Sequence, residues 1–176
     1  AGAQQDKLEV IENGVVASME GRIVFVGSVE EAEELVELVD DGIKVDADGG
    51  TILPGFVDPH THTVFAGDRA EEFNLRLQGH NYADIAKRGG GILSTVKATR
   101  EADLEELVDL GLERMDSMLV HGTTTVEIKS GYGLDTETEL KMLRAIKHLK
   151  EEHELDVVST FMGAHEVPPE FRGVED

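Results

Sequence analysis

Two histidines separated by one residue, His60 and His62, form the pattern in this sequence that is best suited to chemistry. They close the run Asp58-Pro-His-Thr-His, which follows a short apolar stretch typical of a buried β-strand. Because residues i and i+2 point to the same side of a strand, both imidazoles would be directed at one point. Imidazole is a good ligand for zinc and other transition metals. The spacing therefore predicts a metal site, although two unrelated histidines beside a turn would give the same pattern.

Two further polar side chains follow predicted strands. Tyr132 comes just after the β-branched stretch Thr123 to Lys129, and His165 follows the apolar stretch Val157 to Met162. Because all strands of a parallel sheet end at the same edge, these side chains are expected beside the paired histidines. The alternative for His165 is an ordinary loop histidine that makes a routine hydrogen bond.

Arg69 lies seven residues after His62 and is a candidate for binding an anionic group. A planar guanidinium beside a metal can hold a carboxylate through two hydrogen bonds. On spacing alone, a salt bridge to Asp68, Glu71 or Glu72 is the simpler interpretation.

The other polar candidates are weaker. Glu127 and Lys129 alternate with apolar residues along a predicted strand, where an inward-facing charge is either catalytic or, more often, paired in a polar layer. The remaining histidines lie in loops or on acidic helix ends and are expected to be structural or solvated: His80, His121, His148 and His153.

The segment before residue 52 is predicted to form a hairpin and a short helix. Apolar stretches within Val15 to Val26 flank a Glu20-Gly21 turn, a pattern typical of a β-hairpin. An acidic helix is predicted over Val29 to Val39. The polar, glycine-containing stretch Asp46 to Gly50 indicates a domain boundary near residue 52.

Strands and helices are predicted to alternate after this boundary, which indicates βαβ units, a parallel sheet and an α/β fold. A long loop is expected up to about Asn81, and Gly89 to Gly91 are expected to form another loop. Thr136 and Glu139 have the spacing of a helix capping box. The predicted strands are Ile52 to Val57, Thr123 to Lys129 and Val157 to Met162, and the predicted helices lie near Tyr82 to Lys87, over Ala102 to Leu119 and over Thr136 to Lys150.

Composition excludes several classes of partner and site. The net charge of −21 repels nucleic acid and anionic membranes, so neither is expected as a partner. The chain has no cysteine, which excludes thiolate metal sites and disulfides. It also lacks an apolar run near the ~18 residues that a membrane span requires. Together with the absence of a signal-peptide pattern, these features favour a cytoplasmic location.

Several segments of the chain resemble one enzyme family. PGFVDPHTH is similar to the first barrel strand of the amidohydrolase superfamily. The segments HTHTVFAGDRAEEFNLRLQG, GGGILSTVKATR, GTTTVEIKSGYGLDTETELKMLR and FMGAHEVPPEF resemble the imidazolonepropionase family of histidine degradation. This resemblance extends from about residue 13 to 172, and EIKSGYGL and GDR are far more specific to the family than the paired histidines.

The resemblance implies a reaction and a role for each candidate residue. Members of the family use one Zn²⁺ or Fe³⁺ ion to hydrolyse the ring amide of 4-imidazolone-5-propanoate to N-formimidoyl-L-glutamate. By their positions in the motifs, His60 and His62 correspond to metal ligands, and Arg69, Tyr132 and His165 to substrate-binding residues. The propionate of the substrate now favours carboxylate binding by Arg69 over a salt bridge. Tyr82 is a weaker candidate for the same pocket.

The resemblance also implies a fold of which this chain would be an N-terminal part. The family has a (β/α)₈ TIM barrel and a small β-sandwich formed by both chain ends, and such a barrel takes ~250 residues. Residues 1–52 are accordingly expected to form part of the sandwich, and residues 53–176 about the first three strands of the barrel. The remaining metal ligands and the general acid and base would lie beyond residue 176. A homodimer of the full-length protein stays open.

Two alternatives remain at the level of sequence. The parent protein could be a different amidohydrolase, such as a cyclic-imide hydrolase or a deaminase, because H-x-H is shared across the superfamily. The chain could also be a truncated, non-catalytic metal-binding module that needs a partner to cover its sheet edges.

Overall fold

The computed structural model describes residues 9–81, 84–85 and 89–173. The chain divides into two compact units, Ala1–Ile52 and Leu53–Asp176. The first unit contains a two-stranded antiparallel sheet, and the second contains a three-stranded parallel sheet with helices. These sheets confirm the predicted α/β class and the parallel arrangement.

No helix in the described part of the chain is both long and apolar enough to cross a membrane.

The first unit is built on the predicted hairpin. Strands β1 (Gly14–Met19) and β2 (Arg22–Ser28) pair antiparallel, with Met19 opposite Arg22. The two connecting residues both have positive φ, 50° at Glu20 and 73° at Gly21. Two such residues form the turn whose twist matches that of the flanking strands, and glycine adopts this geometry without strain. The Glu-Gly pair therefore explains the position of the turn.

The helix that follows is shorter than predicted. Helix α1 spans Val29–Leu35 and begins with a capping box, in which Ser28 and Glu31 each accept the other's backbone N–H. The prediction that it continues to Val39 was wrong, since Val36 is already extended at φ −117° and ψ 123°. β-Branched residues have lower helix propensity, and Leu35 and Val39 remain 74% and 61% exposed. Without burial of its apolar side, the helix gains little from a further turn.

The second unit contains β3 (Phe56–Thr61), β4 (Thr123–Lys129) and β5 (Asp156–Thr160), which lie side by side in that order and run parallel. The bounds predicted for β4 are confirmed. Strand β5 ends two residues earlier than predicted.

Strand β3 differs most from its prediction. A buried strand was expected over Ile52 to Val57, yet β3 starts at Phe56, and Ile52 and Val57 are 60% and 64% exposed. The strand pairs with β4 alone, so one of its edges has no neighbour in the described sheet. Its pairing shifts register between Asp58 and Thr61, where Pro59 lacks the N–H that a regular ladder needs.

Four helices accompany this sheet in the described residues. Their bounds are α2 Ala70–Leu77, α3 Ile92–Glu101, α4 Leu104–Val120 and α5 Thr136–Glu152. Helices α4 and α5 confirm the two long predicted helices to within two residues at each end. They pack on one face of the sheet around a buried core that includes Leu107, Met115, Val126, Ile128, Met142, Ile146, Leu149 and Val157.

Helices α2 and α3 were not predicted, and the expectation of a long loop up to Asn81 was wrong. Helix α2 is only eight residues long and buries none of its side chains, so packing against the core does not mark it as a helix. Glu71 and Glu72 in its first turn and Arg76 in its last turn favour it through the helix dipole. The helix predicted near Tyr82 to Lys87 falls mostly outside the described residues.

Helix α5 starts with a different cap from the one expected. Asp135 is the N-cap residue, and its carboxylate accepts the Thr138 N–H at 2.7 Å. The capping box predicted for Thr136 and Glu139 was wrong, because the carboxylate of Glu139 binds the preceding loop. Burial by itself raises the pKa of Asp135, but hydrogen bonds from Thr138 and the charge of Arg100 outweigh it and lower the pKa.

Replacing Asp135 with alanine is expected to lower the free energy of unfolding by about 1 kcal/mol, since the Thr138 N–H loses its acceptor. Asp135→Asn is the control, because its side-chain oxygen can still cap the helix. Urea denaturation at several pH values measures both. A carboxylate with a lowered folded-state pKa stabilises the fold above its ordinary value of 3.8 and loses this effect as pH falls through the folded-state pKa. A wild-type to alanine difference that does not diminish below that value would contradict the assignment.

Candidate metal and substrate site

Four of the predicted site residues meet at one end of the parallel sheet. The ring of His62 lies 4.7 Å from that of Tyr132, 5.1 Å from that of His165 and 5.9 Å from that of His60, measured between centroids. Tyr132 and His165 are themselves 5.6 Å apart. We call these four side chains the ring cluster. Its members come from the carboxyl ends of three adjacent strands, as the sequence predicts.

The members of the ring cluster occupy different positions relative to the strands that carry them. His60 lies within β3 and His62 directly after it, whereas Tyr132 is the third residue after β4. His165 lies farther from its strand than expected, on the loop that follows β5. Gly131 allows this loop to approach, because its φ is +118° and a Cβ there would lie 3.0 Å from the Cβ of His165. A larger residue at Gly131 would push the two loops apart.

Two imidazole nitrogens of the cluster are buried. The Nδ1 atoms of His62 and His165 have no hydrogen-bond partner among the described residues. Burial, and after it the neighbouring His165 and His60, lower the pKa of His62. His62 is therefore neutral near pH 7, which is the protonation state that a metal ligand requires.

The described residues contain no complete metal site. Among residues 9–81, 84–85 and 89–173, no group of three or more His, Cys, Asp or Glu side chains is arranged to hold an ion. Catalytic zinc usually has three protein ligands, so the pair His60 and His62 fits such a centre only with ligands from elsewhere. The unpartnered nitrogen of His62 agrees with a missing binding partner at this point.

Arg69 lies at the start of α2, exposed, with its Nε donating to Thr95 Oγ1 at 3.2 Å. Within the described part of the chain it has no ion pair with Asp68, Glu71 or Glu72 and no hydrogen bond to the ring cluster. Tyr82 lies outside the described residues.

The sheet face on the side away from α4 and α5 carries a small polar layer. Lys129 Nζ lies 2.6 Å from Glu127 Oε1, and Thr160 Oγ1 donates to the same oxygen at 2.5 Å. Hydrogen bonds from Lys129, and next from Thr160, lower the pKa of Glu127. These two charged residues alternate with the buried Val126 and Ile128, so they face away from the helices. The structure therefore pairs Glu127 and Lys129 with each other.

Arg114 is a residue of this region that the sequence patterns did not single out. From α4, its Nη1 donates to the carbonyl oxygens of Thr63 and Phe65, both at 2.7 Å, and its guanidinium lies 3.7 Å from the Phe65 ring. Phe65 in turn packs edge-on to Tyr132 at 6.0 Å. Arg114 thus holds the segment that begins one residue after His62. The signal in the sequence was the position of Arg114, which lies two helical turns after Leu107 and therefore on the same, buried face of α4.

Arg114→Met, which keeps the apolar stem but removes the donors, is expected to lower the free energy of unfolding by about 2 kcal/mol, since two partly buried carbonyls lose a charged partner. Arg144→Met is the matched control, because Arg144 is exposed on α5. Thermal and urea denaturation compare the two variants. Equal losses in both would show that the Arg114 hydrogen bonds contribute no specific stability.

Comparison with curated proteins finds named relatives of this chain, whereas no family model matches it. An imidazolonepropionase of Symbiobacterium thermophilum is 57% identical over 171 residues, which cover 97% of this chain and 40% of that protein. Imidazolonepropionases of Parabacteroides distasonis and Haloarcula marismortui are 52% and 54% identical, over 99% and 92% of the chain and 42% and 39% of their own lengths. The chain spans about two fifths of these relatives. By its sequence, the chain belongs to the imidazolonepropionase family.

Proposed function

We propose that the chain is the N-terminal part of a metal-dependent hydrolase that opens the ring of 4-imidazolone-5-propanoate in histidine degradation. The observation that carries this proposal is the ring cluster, which gathers two candidate metal ligands and two candidate substrate contacts where three parallel strands end. The relatives named imidazolonepropionase support the choice of substrate.

The parallel sheet is proposed to be the first part of a (β/α)₈ barrel. Strands β3, β4 and β5 follow one another in chain order and in space, with α4 and α5 in the two connections. This is the repeating unit of such a barrel, whose catalytic residues lie at the carboxyl ends of the strands. The antiparallel hairpin of residues 1–52 is proposed to be part of a small β-sandwich. Exposed apolar residues on β3 and β5, such as Phe56 and Val158, fit sheet surfaces that further strands would cover.

His60 and His62 are the residues that would hold the metal ion, either Zn²⁺ or Fe³⁺, since imidazole suits both. Such an ion supplies Lewis-acid activation of a water molecule and of the ring carbonyl. In the net reaction, water adds across the ring amide, the carbonyl–nitrogen bond breaks, and a carboxylate and a formimidoyl-substituted amine are formed. Further ligands would come from outside the 176 residues.

The chain's own residues would bind and orient the substrate. Tyr132 and His165 provide polar side chains beside His62, with ring centroids 4.7 and 5.1 Å from that of His62. Arg69 would bind the propionate, which orients the ring relative to the metal ligands. The hydrogen bond from Arg69 Nε to the neutral Thr95 hydroxyl restricts the orientation of the guanidinium and leaves its positive charge available to the propionate.

The test is turnover by the complete protein. Purified with zinc or with iron, it is expected to consume imidazolone propionate, followed by the loss of ring absorbance and by the appearance of N-formimidoyl-L-glutamate. Elemental analysis of the active sample identifies the ion. No turnover with either metal would reject the proposal. Turnover restricted to a cyclic imide, or release of ammonia from an amino-substituted ring, would instead identify another amidohydrolase activity.

A further inference from the structure

Glu139 is a nearly fully buried carboxylate in the first turns of α5, with only 3% of its surface exposed. It accepts three backbone N–H groups, from Gly131 at 2.9 Å, Gly133 at 2.8 Å and Leu134 at 3.0 Å. A buried charge is costly unless it is paired or hydrogen-bonded, and the described residues place no cation in an ion pair with it. Three amide donors and the amino-terminal end of α5 therefore compensate this charge.

Capping of α5 does not require Glu139. The N-cap is Asp135, which accepts both the N–H and the hydroxyl of Thr138. The loop that Glu139 binds is instead the segment between β4 and α5. Glu139 therefore stabilises this loop and does not cap its own helix.

The held loop carries Tyr132. Gly131 and Gly133, on either side of the tyrosine, both donate to Glu139, one to each carboxylate oxygen. Arg100 binds an acceptor of the same loop, since its Nε donates a hydrogen bond to the Gly133 carbonyl oxygen at 2.7 Å. With donors and acceptors of the loop both engaged, the Tyr132 backbone has little freedom to shift relative to the His62 ring, 4.7 Å from the tyrosine ring.

We propose that Glu139 is a positioning residue, which holds Tyr132 against His62 through three backbone hydrogen bonds to the tyrosine's loop. This inference rests on the proposed function, in which Tyr132 contacts the substrate. The hydrogen bonds of Glu139 go to the loop and not to the ring cluster, although its charge also acts on His62 and opposes the lowering of the His62 pKa by burial. The fixed conformation of this loop thus contributes to substrate binding, because small displacements of a binding group lower affinity and rate.

The test is Glu139→Gln in the complete protein. The glutamine amide replaces one acceptor oxygen by a donor, which would face a backbone N–H of Gly131 or Gly133. We expect KM for imidazolone propionate to rise roughly ten-fold, corresponding to one lost charged hydrogen bond, with kcat changed much less. Glu137→Gln is the matched control, because it makes the same substitution at an exposed position of the same helical turn. An unchanged KM in Glu139→Gln would overturn the inference.

A double-mutant cycle with Tyr132→Phe separates positioning from a general loss of stability. If Glu139 acts through the tyrosine hydroxyl, adding Glu139→Gln to Tyr132→Phe should raise KM by less than about two-fold. A full additional effect would overturn the inference. A raised KM in Tyr132→Phe with no effect of Glu139→Gln rejects the positioning role alone, whereas an unchanged KM in Tyr132→Phe rejects the proposed substrate contact as well. Should Glu139→Gln not fold, Glu139→Asp, which shortens the side chain and keeps its charge, takes its place under the same criteria.

Discussion

His62→Ala is expected to abolish metal binding by the complete protein and to lower kcat/KM by about a thousand-fold or more, since the proposed activation of water by the ion would be lost. His62 is the centre of the ring cluster, in contact with His60, Tyr132 and His165. Removal of its imidazole eliminates one of the two candidate ligands from this chain. Burial and the neighbouring histidines keep it neutral near pH 7, so its nitrogen is available to the ion.

Metal content by elemental analysis and initial rates measure this effect. The matched control is His148→Ala, because His148 is exposed on α5 and its nearest acidic partner is Glu152 at 3.6 Å. The control should keep both metal and activity. A His62→Ala protein that retains a full equivalent of metal and normal turnover would remove His62 from the site.

Arg69→Ala is expected to raise KM for imidazolone propionate by roughly ten- to a hundred-fold, because the substrate carboxylate loses a charged hydrogen-bonding partner. The effect on kcat should be smaller, since the guanidinium is proposed to bind a part of the substrate that does not react. Arg69→Lys should recover only part of the affinity, because an ammonium group cannot bind a carboxylate through the planar fork of arginine.

The control for this experiment lies on the same helix. Arg76 is in the last turn of α2, so Arg76→Ala removes an equal charge from the same element without touching its first turn. A substrate analogue without the carboxylate should show little difference between wild type and Arg69→Ala. An unchanged KM for imidazolone propionate in Arg69→Ala would favour a different amidohydrolase substrate.

The elements that could be predicted are those with a strong local signal. Strand β4 matches its predicted bounds, because its run of β-branched residues is flanked by glycine on both sides. Helices α4 and α5 were recognisable because their buried residues recur with a helical period. Helix α2 is short and buries none of its side chains, and β3 is exposed because it pairs with only one neighbour. Local pattern identified the elements whose composition is shaped by burial and the hairpin whose turn residues are distinctive.

The same distinction applies to the site. The ring cluster could be anticipated, because parallel strands end at one edge and His60, Tyr132 and His165 each follow or end a predicted strand. The roles of Glu139 and Arg114 could not. Glu139 has the spacing of a capping box, but Asp135 caps the helix in its place. Arg114 reaches carbonyls 49 and 51 residues away in the chain.

By itself, the sequence determined the family of this protein, its alternation of strands and helices, and the histidine pair at a strand end, because periodicity and motif spacing are local properties. Tertiary structure alone decided which partner each buried polar group meets. The carboxylate of Glu139 is satisfied by three amides of the Tyr132 loop, and the guanidinium of Arg114 by the segment after His62. Burial makes these partners obligatory, since an unpaired charge in the interior is costly, and only the packing of α4 and α5 on the sheet brings them within reach.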